Sequence, residues 1–304
     1  VSATAGPGAA GGAAGPDVSV ITPSAGRAAC VLRKFEALAR QSVGPGRIEV
    51  VLVDNLCPER VGDLVAARPW PFTLRVLRAD ERLSAAAARR WAAAEAVGPW
   101  LWWSDDDVVP DDDALERHLA RQVGDPCVSV GAIRFVTPAG VRRWRPRRGD
   151  AVHVTGVNTL LPRAALARVD GDVIDLPRRY GGEDTVIGLA LEAAGVPIVA
   201  APDAWVAHHG AAPADGGDLA KGYDAGYNAA VIAGRYPRAA WPLGVHPLQL
   251  AAKRALLGPL GSGGATSGGP RGRLHFERAY LDGALAGRRH TPGGPAARPP
   301  EAHP

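Results

Sequence analysis

The run IEVVLVDN (48–55) is apolar at nearly every position and ends on an acid and an amide. A strand buried on one face alternates apolar and polar residues. A run without that alternation fits a strand covered on both faces, inside a sheet with helices packed on either side. The neighbouring segments repeat the same demand. VSVIT (18–22), FTLRVLRA (72–79) and WLWWS (100–104) read as strands. AACVLRKFEALARQ (28–41), residues 59–68 and LSAAAARRWAAAEA (83–96) read as the helices between them, with Val31, Phe35 and Leu38 at helical spacing in the first. Alternating strands and helices predict a Rossmann-like α/β fold, a mostly parallel central sheet with flanking helices and right-handed crossovers. At 304 residues and 46% apolar content the chain can fill such a core.

The second part is more mixed. CVSVGAIRFV (127–136) and HVTGVNTLL (153–161) read as strands on either side of the arginine-rich VRRWRPRRGD (141–150). EDTVIGLALEAAG (183–195) reads as a helix stopped by Gly195, and VPIVAAPDAWVAHHG (196–210) as a last strand and turn. Helices are expected over 219–236, 248–258 and 274–289, with a glycine-rich linker at 258–272. The expected organisation is a flexible N-terminal tail (1–17), an α/β domain (18–215), a C-terminal helical extension (216–290) and a disordered tail (291–304).

No run of about 18 apolar residues is present, so no spanning helix is expected. Residues 1–16 lack the basic start and apolar heart of a secretion signal. Cys30, Cys57 and Cys127 are far apart, without a CxxC, which fits a reducing compartment and a cytoplasmic placement. The net charge of +4 has one local focus: Arg142, Arg143, Arg145, Arg147 and Arg148 around Trp144. This loop suits an anionic substrate, the phospholipid of the inner membrane face or nucleic acid, and a solvated loop explains it equally well. No nucleic-acid-binding motif accompanies it, so no nucleic-acid partner is expected.

Ligands of open parallel sheets bind beyond the carboxyl ends of the strands. Three polar signals fall there: Thr22-Pro23, Asp54-Asn55 and the triple aspartate Asp105, Asp106, Asp107. Adjacent ionised carboxylates repel by on the order of 1 kcal/mol or more per pair once water is partly excluded. Such a knot persists as a solvated turn and helix cap, or because a cation sits on it. Carboxylate oxygens suit Mg²⁺ or Mn²⁺, whose remaining positions go to water and substrate phosphates. Asp111–Asp113, ahead of ALERHLA, fit the negatively charged first turn of a helix.

Taken in order, these segments resemble the GT-A fold glycosyltransferases of the family 2 type, over roughly residues 18–210. VSVITPSAGRAACVLRKFEALARQ is similar to the family's opening strand, Pro-containing turn, Arg (Arg27) and first helix. VVLVDN resembles the second strand tip, whose acid, here Asp54, contacts the nucleobase. LSAAAARRWAAAEAVGPWLWWSDDD resembles the approach to the DxD motif. Arg89 matches the family's Arg, Arg90 stands where Asn is common, and Asp105 and Asp107 match the two aspartates. TGVNTLLPRAALARV resembles the acceptor-side strand and helix, with Asn158 at the Asn position. GGEDTVIGLALEAAGVPIVAAPDAWVAHHG is similar to the stretch bearing the acidic pair and a metal-binding His. The pattern departs at VDGDVIDLPRRY, where the family more often has a Gly-Gly-Phe-Asp turn.

The resemblance implies an inverting, metal-dependent glycosyltransferase. Its partners would be a nucleotide-sugar donor and an acceptor hydroxyl on a glycan, a lipid-linked sugar or a small metabolite. Thr22, Pro23, Arg27, Asp54, Arg89, Asp105 and Asp106 would bind the donor. Asp107, with Asp105 and His208, would hold Mn²⁺ or Mg²⁺, and His209 stays open as the alternative imidazole. Asp184 would be the base and Glu183 would orient the acceptor, unless the pair merely caps its helix. Two rival readings are weighed against this one. The first is a non-catalytic sugar-nucleotide-binding protein of the same fold. The second is a Mg²⁺-dependent diphosphate enzyme of the prenyl or terpene type, which would be all-helical.

Overall fold

The computed structural model describes residues 4–5, 15–138, 140–146, 151–169, 176–178, 180–210, 219–257 and 270–289. The expected tail at 291–304, most of the tail at 1–17, most of the linker, and Arg147 and Arg148 lie outside them. The chain divides into two compact units: residues 1–172 with 190–210, and residues 173–189 with 211–304.

The first unit is built on one sheet. Its strands are β1 (Thr4–Ala5), β2 (Val18–Ser24), β3 (Ile48–Asp54), β4 (Thr73–Arg78), β5 (Trp100–Trp103), β6 (Val108–Pro110), β7 (Val128–Thr137), β8 (Gly140–Trp144), β9 (Thr159–Pro162) and β10 (Ile198–His208). Its helices are α1 (Ala28–Leu38), α2 (Val61–Ala66), α3 (Ala85–Glu95), α4 (Ala114–Leu119) and α5 (Arg163–Val169). The spatial order is β1-β4-β3-β2-β5-β9-β7-β10-β6, with β8 added beside β7. The neighbours β4-β3-β2-β5 are all parallel, as the alternating pattern requires. Beyond β5 the sheet turns mixed: β9 is antiparallel to β5 and β7, whereas β7 and β10 are parallel. This sheet excludes the all-helical rival.

Every residue of β3 is buried. Its one charged interior residue, Glu49, is matched by Ser19 Oγ at 2.5 Å, Arg75 Nε at 3.2 Å and the Val97 amide at 3.0 Å. Helix α1 buries Val31, Lys34, Phe35 and Leu38 as one stripe. Ser84 caps α3 by accepting the Ala87 amide at 3.1 Å.

Local details differ from the sequence expectations. The strand expected over 153–161 is only Thr159–Pro162, preceded by a 3-10 turn at Ala151–His153. Thr155 and Thr159 hydroxyls accept backbone amides at 3.4 and 3.2 Å and fold the segment between into a turn. Val108–Pro110, too short to show a strand period, is an edge strand antiparallel to β10, a place where Pro is tolerated. Asp111–Asp113 lead into α4 as expected, with Asp113 at the N-cap position, but make no side-chain cap. They pair with Arg134, Arg40 and Arg117 respectively.

A buried polar hub ties the mixed half together. Asn158 Oδ1 accepts Trp102 Nε1 at 3.0 Å and His118 Nε2 at 2.8 Å, and its Nδ2 donates to the Ala132 and Ala204 carbonyls. His118 Nδ1 lies 2.9 Å from Ser129 Oγ, a hydroxyl that can donate to the neutral ring. Burial pushes its pKa down to about 4, from 6.5. The folded value lies below the unfolded one, so the unfolded chain binds the proton first as pH falls. The contribution to stability is whole above about pH 6.5 and is lost on the way to pH 4. Urea unfolding at pH 7 and pH 4.5 should show an acid loss on the order of 2 kcal/mol that is absent in His118→Asn.

The second unit contains α6 (Glu183–Ala193, shared at its end with the first unit), α7 (Leu219–Arg235), α8 (Pro247–Leu257) and α9 (Pro270–Gly287). α7 and α9 touch backbone to backbone. A Cβ on Gly226 would lie 2.0 Å from the Tyr280 carbonyl oxygen, and one on Gly283 1.9 Å from that of Tyr223. Ala229, Val245, Leu250, Leu257, Leu281 and Ala284 form the unit's apolar cluster.

Candidate active site

In the first unit, the ends of β2, β5 and β10 gather polar groups around the triple aspartate, whose three members face different partners. Asp105 takes a 2.7 Å ion pair from Arg89, itself only 5% exposed. Asp106 accepts Arg27 Nη2 at 2.7 Å through one oxygen and Ser24 Oγ at 2.8 Å through the other. Burial, opposed by Arg27, pushes its carboxyl pKa up to about 6. Asp107 pairs with Arg27 through Oδ2, and its backbone oxygen accepts the His209 amide at 2.8 Å. Its Oδ1 is buried without a hydrogen bond and lies 3.3 Å from His208 Nε2.

Arg27 adopts a left-handed backbone, φ 63°, just before α1. That conformation is uncommon for a bulky residue and is often kept at functional sites. Here it directs one half-exposed guanidinium onto two carboxylates.

Sequence reasoning missed the cation beneath this cluster. Lys34 is fully buried, and its Nζ donates to the Ser104 carbonyl at 2.6 Å and the Asp105 carbonyl at 2.9 Å. Burial pulls its pKa down to about 7, against the opposing pull of the three aspartates. The signal was present: position 34 falls on the apolar stripe of α1, where a lysine needs a reason. Lys34→Met keeps the stem and deletes both hydrogen bonds. It is expected to cost about 2–4 kcal/mol in urea unfolding, because two buried carbonyls lose their donor and three aspartates lose a neighbouring cation.

The other strand-end residues are placed as follows. Thr22 is buried and its Oγ1 has no hydrogen-bond partner; Pro23 follows it, half-buried, in β2. Asp54 accepts the Cys57 amide at 3.1 Å through one oxygen and the Gly62 amide of α2 at 2.9 Å through the other, which also lies 3.5 Å from Arg78 Nη1. Asn55 ties down the loop at 83, exchanging 2.9 Å bonds with the Leu83 backbone. Glu183 and Asp184 occupy the first turn of α6 in the second unit. A residue absent from the sequence reading supports that turn. Asn228, buried on α7, accepts the Arg178 amide at 3.1 Å and donates toward the carbonyls of Arg178, Tyr180 and Gly181 at 2.8–3.1 Å. Of the departing segment VDGDVIDLPRRY (169–180), residues 170–175 and 179 lie outside the described residues.

Among the described residues no three His, Cys, Asp or Glu side chains form a ready metal cage. Asp107 and His208 nevertheless fit a divalent cation. The orphaned Oδ1 faces an imidazole nitrogen, and Gly210 keeps the place clear: a Cβ there would lie 2.9 Å from Asp107 Oδ2 and 2.4 Å from His208 Cε1. Of the two histidines, His208 is the one whose ring nitrogen approaches Asp107.

Comparison with known proteins identifies the fold and the family. The fold is that of the GT-A glycosyltransferases. The mannosyltransferase PcManGT of Pyrobaculum calidifontis, solved with GDP-Man and Mn²⁺, superposes with a TM-score of 0.58 at 20% identity, covering 90% of this chain and 87% of that one. TarS of S. aureus, solved with UDP-GlcNAc, gives 0.53 at 15% identity over 90% of each chain. The family model described as glycosyl transferase family 2 matches residues 19–176, and the chain belongs to that family. Validoxylamine A glucosyltransferase of Streptomyces hygroscopicus subsp. limoneus is 27% identical over 233 residues, 62% of this chain and 51% of its own length. The chain thus spans about half the length of that relative.

Proposed function

We propose that this chain is an inverting, metal-dependent glycosyltransferase that moves a sugar from a nucleotide-diphosphate donor to an acceptor hydroxyl. The observation that carries the reading is the Asp107–His208 pair, with a buried, unbonded carboxylate oxygen 3.3 Å from an imidazole nitrogen at the strand ends. Neighbours of the same fold solved with GDP-Man and Mn²⁺ or with UDP-GlcNAc support it.

Asp107 and His208 would hold Mn²⁺ or Mg²⁺, with Asp105 beside them or reaching the donor's ribose. When bound, the ion supplies positive charge to the departing diphosphate. Arg27, half-exposed and already on two carboxylates, adds a fixed cation at the same place. Asp54 fixes the loop at the end of β3 and leaves its remaining lone pairs for a nucleobase N–H. Asp184 takes the acceptor's proton as its oxygen bonds to the anomeric carbon. The bond from that carbon to the diphosphate oxygen breaks on the opposite face, so configuration inverts. Glu183 orients the acceptor, and Asn228 steadies the loop that leads into the acidic pair.

The test is a panel of nucleotide sugars incubated with Mn²⁺. Slow hydrolysis or transfer should release the nucleoside diphosphate from one donor, and NMR of the nascent sugar should show inverted anomeric configuration. Retained configuration would remove Asp184 from the role of base in a single displacement.

A further inference from the structure

Helix α8 wears its apolar residues on the outside. Leu250 and Leu257 are buried in the second unit's cluster, and Lys253 is held by Glu277 at 3.1 Å and lies over the Tyr280 ring. Those residues account for the inner face. Leu248, Ala251, Ala252, Ala255 and Leu256 follow i, i+3, i+4, i+7, i+8 spacing and therefore share the opposite face. All five are exposed, Leu248 at 69% and Leu256 at 78%. Trp241, in the turn ahead of the helix, is 58% exposed. An ordinary surface helix would put Glu, Lys or Gln at these positions.

The charge of the surrounding sequence points to its partner. From Ala225 to Phe276 the sequence contains no Asp or Glu, yet it carries Arg235, Arg238, Lys253, Arg254, Arg271 and Arg273. A second copy of so basic a segment would repel the first. An apolar helix face edged by Arg254, with an exposed Trp in the turn before it, has the chemistry of an interfacial helix on an anionic bilayer. Leucine side chains enter the acyl boundary, Trp settles at headgroup level, and Arg254 meets lipid phosphates. No helix among the described residues is long and apolar enough to cross a membrane, so the contact is peripheral.

We infer that α8, with Trp241, is a membrane-docking surface selective for anionic phospholipid. This inference does not depend on the proposed catalytic reading. The test is co-sedimentation of the full chain with vesicles of phosphatidylcholine alone or with about 30% phosphatidylglycerol. At low salt the anionic vesicles should pellet about fivefold more protein, and the excess should fall as salt rises. Leu248→Glu with Leu256→Glu should remove that excess while thermal melting stays unchanged. Arg254→Glu, which leaves the apolar face intact, should weaken it. Three results would each overturn the inference: no pelleting with either vesicle, equal pelleting with both, or a doubly substituted chain that pellets like the native one. A concentration-dependent dimer in sedimentation velocity, lost in the double variant, would reassign the face to self-association.

Discussion

Asp107→Ala is expected to abolish metal-dependent nucleotide binding and to lower turnover by roughly 10³-fold or more, the loss that follows when several kcal/mol of charge stabilisation disappear. The neighbouring aspartate provides the contrast. Asp106 is engaged on both oxygens, by Arg27 and by Ser24, whereas Asp107 has one oxygen without a hydrogen bond. Asp106→Asn should keep the Ser24 bond, loosen Arg27 and leave metal affinity within about tenfold, the lower range for groups that only support a ligand. Mn²⁺ titration of both variants, read by calorimetry with nucleoside diphosphate present, separates the two roles. Equal loss in both would mean that the cluster acts as one electrostatic body and that Asp107 has no individual role as ligand.

The second large effect concerns proton removal. Asp184 sits in the first turn of α6, where the helix dipole favours the carboxylate. Asp184→Asn preserves shape and removes the proton acceptor. A fall in kcat of roughly 10²–10⁴-fold is expected, with donor affinity little changed. Glu183→Gln should be milder. Single-turnover rates and donor binding for both variants decide the assignment. Near-full turnover in Asp184→Asn with a dead Glu183→Gln reverses the roles, and two active variants would reduce the pair to a helix cap.

The parts of this fold that were legible in sequence are those dictated by local pattern. IEVVLVDN could only be a strand buried on both faces, and its ends could only be strand tips. The four parallel strands and their helices follow from that pattern. What escaped was either too short to carry a period or depended on distant partners. Val108–Pro110 spans three residues and contains a Pro, so pairing with β10, not propensity, makes it a strand. The alternation over 153–158 looked like a strand because the Thr155 and Thr159 side-chain bonds that turn it leave no periodic trace.

The candidate site was legible in the same partial way. The three aspartates, Arg27 and the histidines stand out as residue types in order. Their division of labour does not. That Asp106 is spent on Ser24 and Arg27 while Asp107 keeps an open oxygen is a matter of side-chain direction. Lys34 could have been noticed as a cation on an apolar stripe. Asn228 could not, because it lies far along the chain from the loop it supports and no local pattern links the two.

The most direct test of the central claim is calorimetric titration of UDP and GDP into the full chain, in Mn²⁺ and again in excess EDTA. If Asp107 and His208 complete a cation site for a diphosphate, at least one nucleotide binds in Mn²⁺ and the heat vanishes in EDTA. Equal affinity in both would contradict the account.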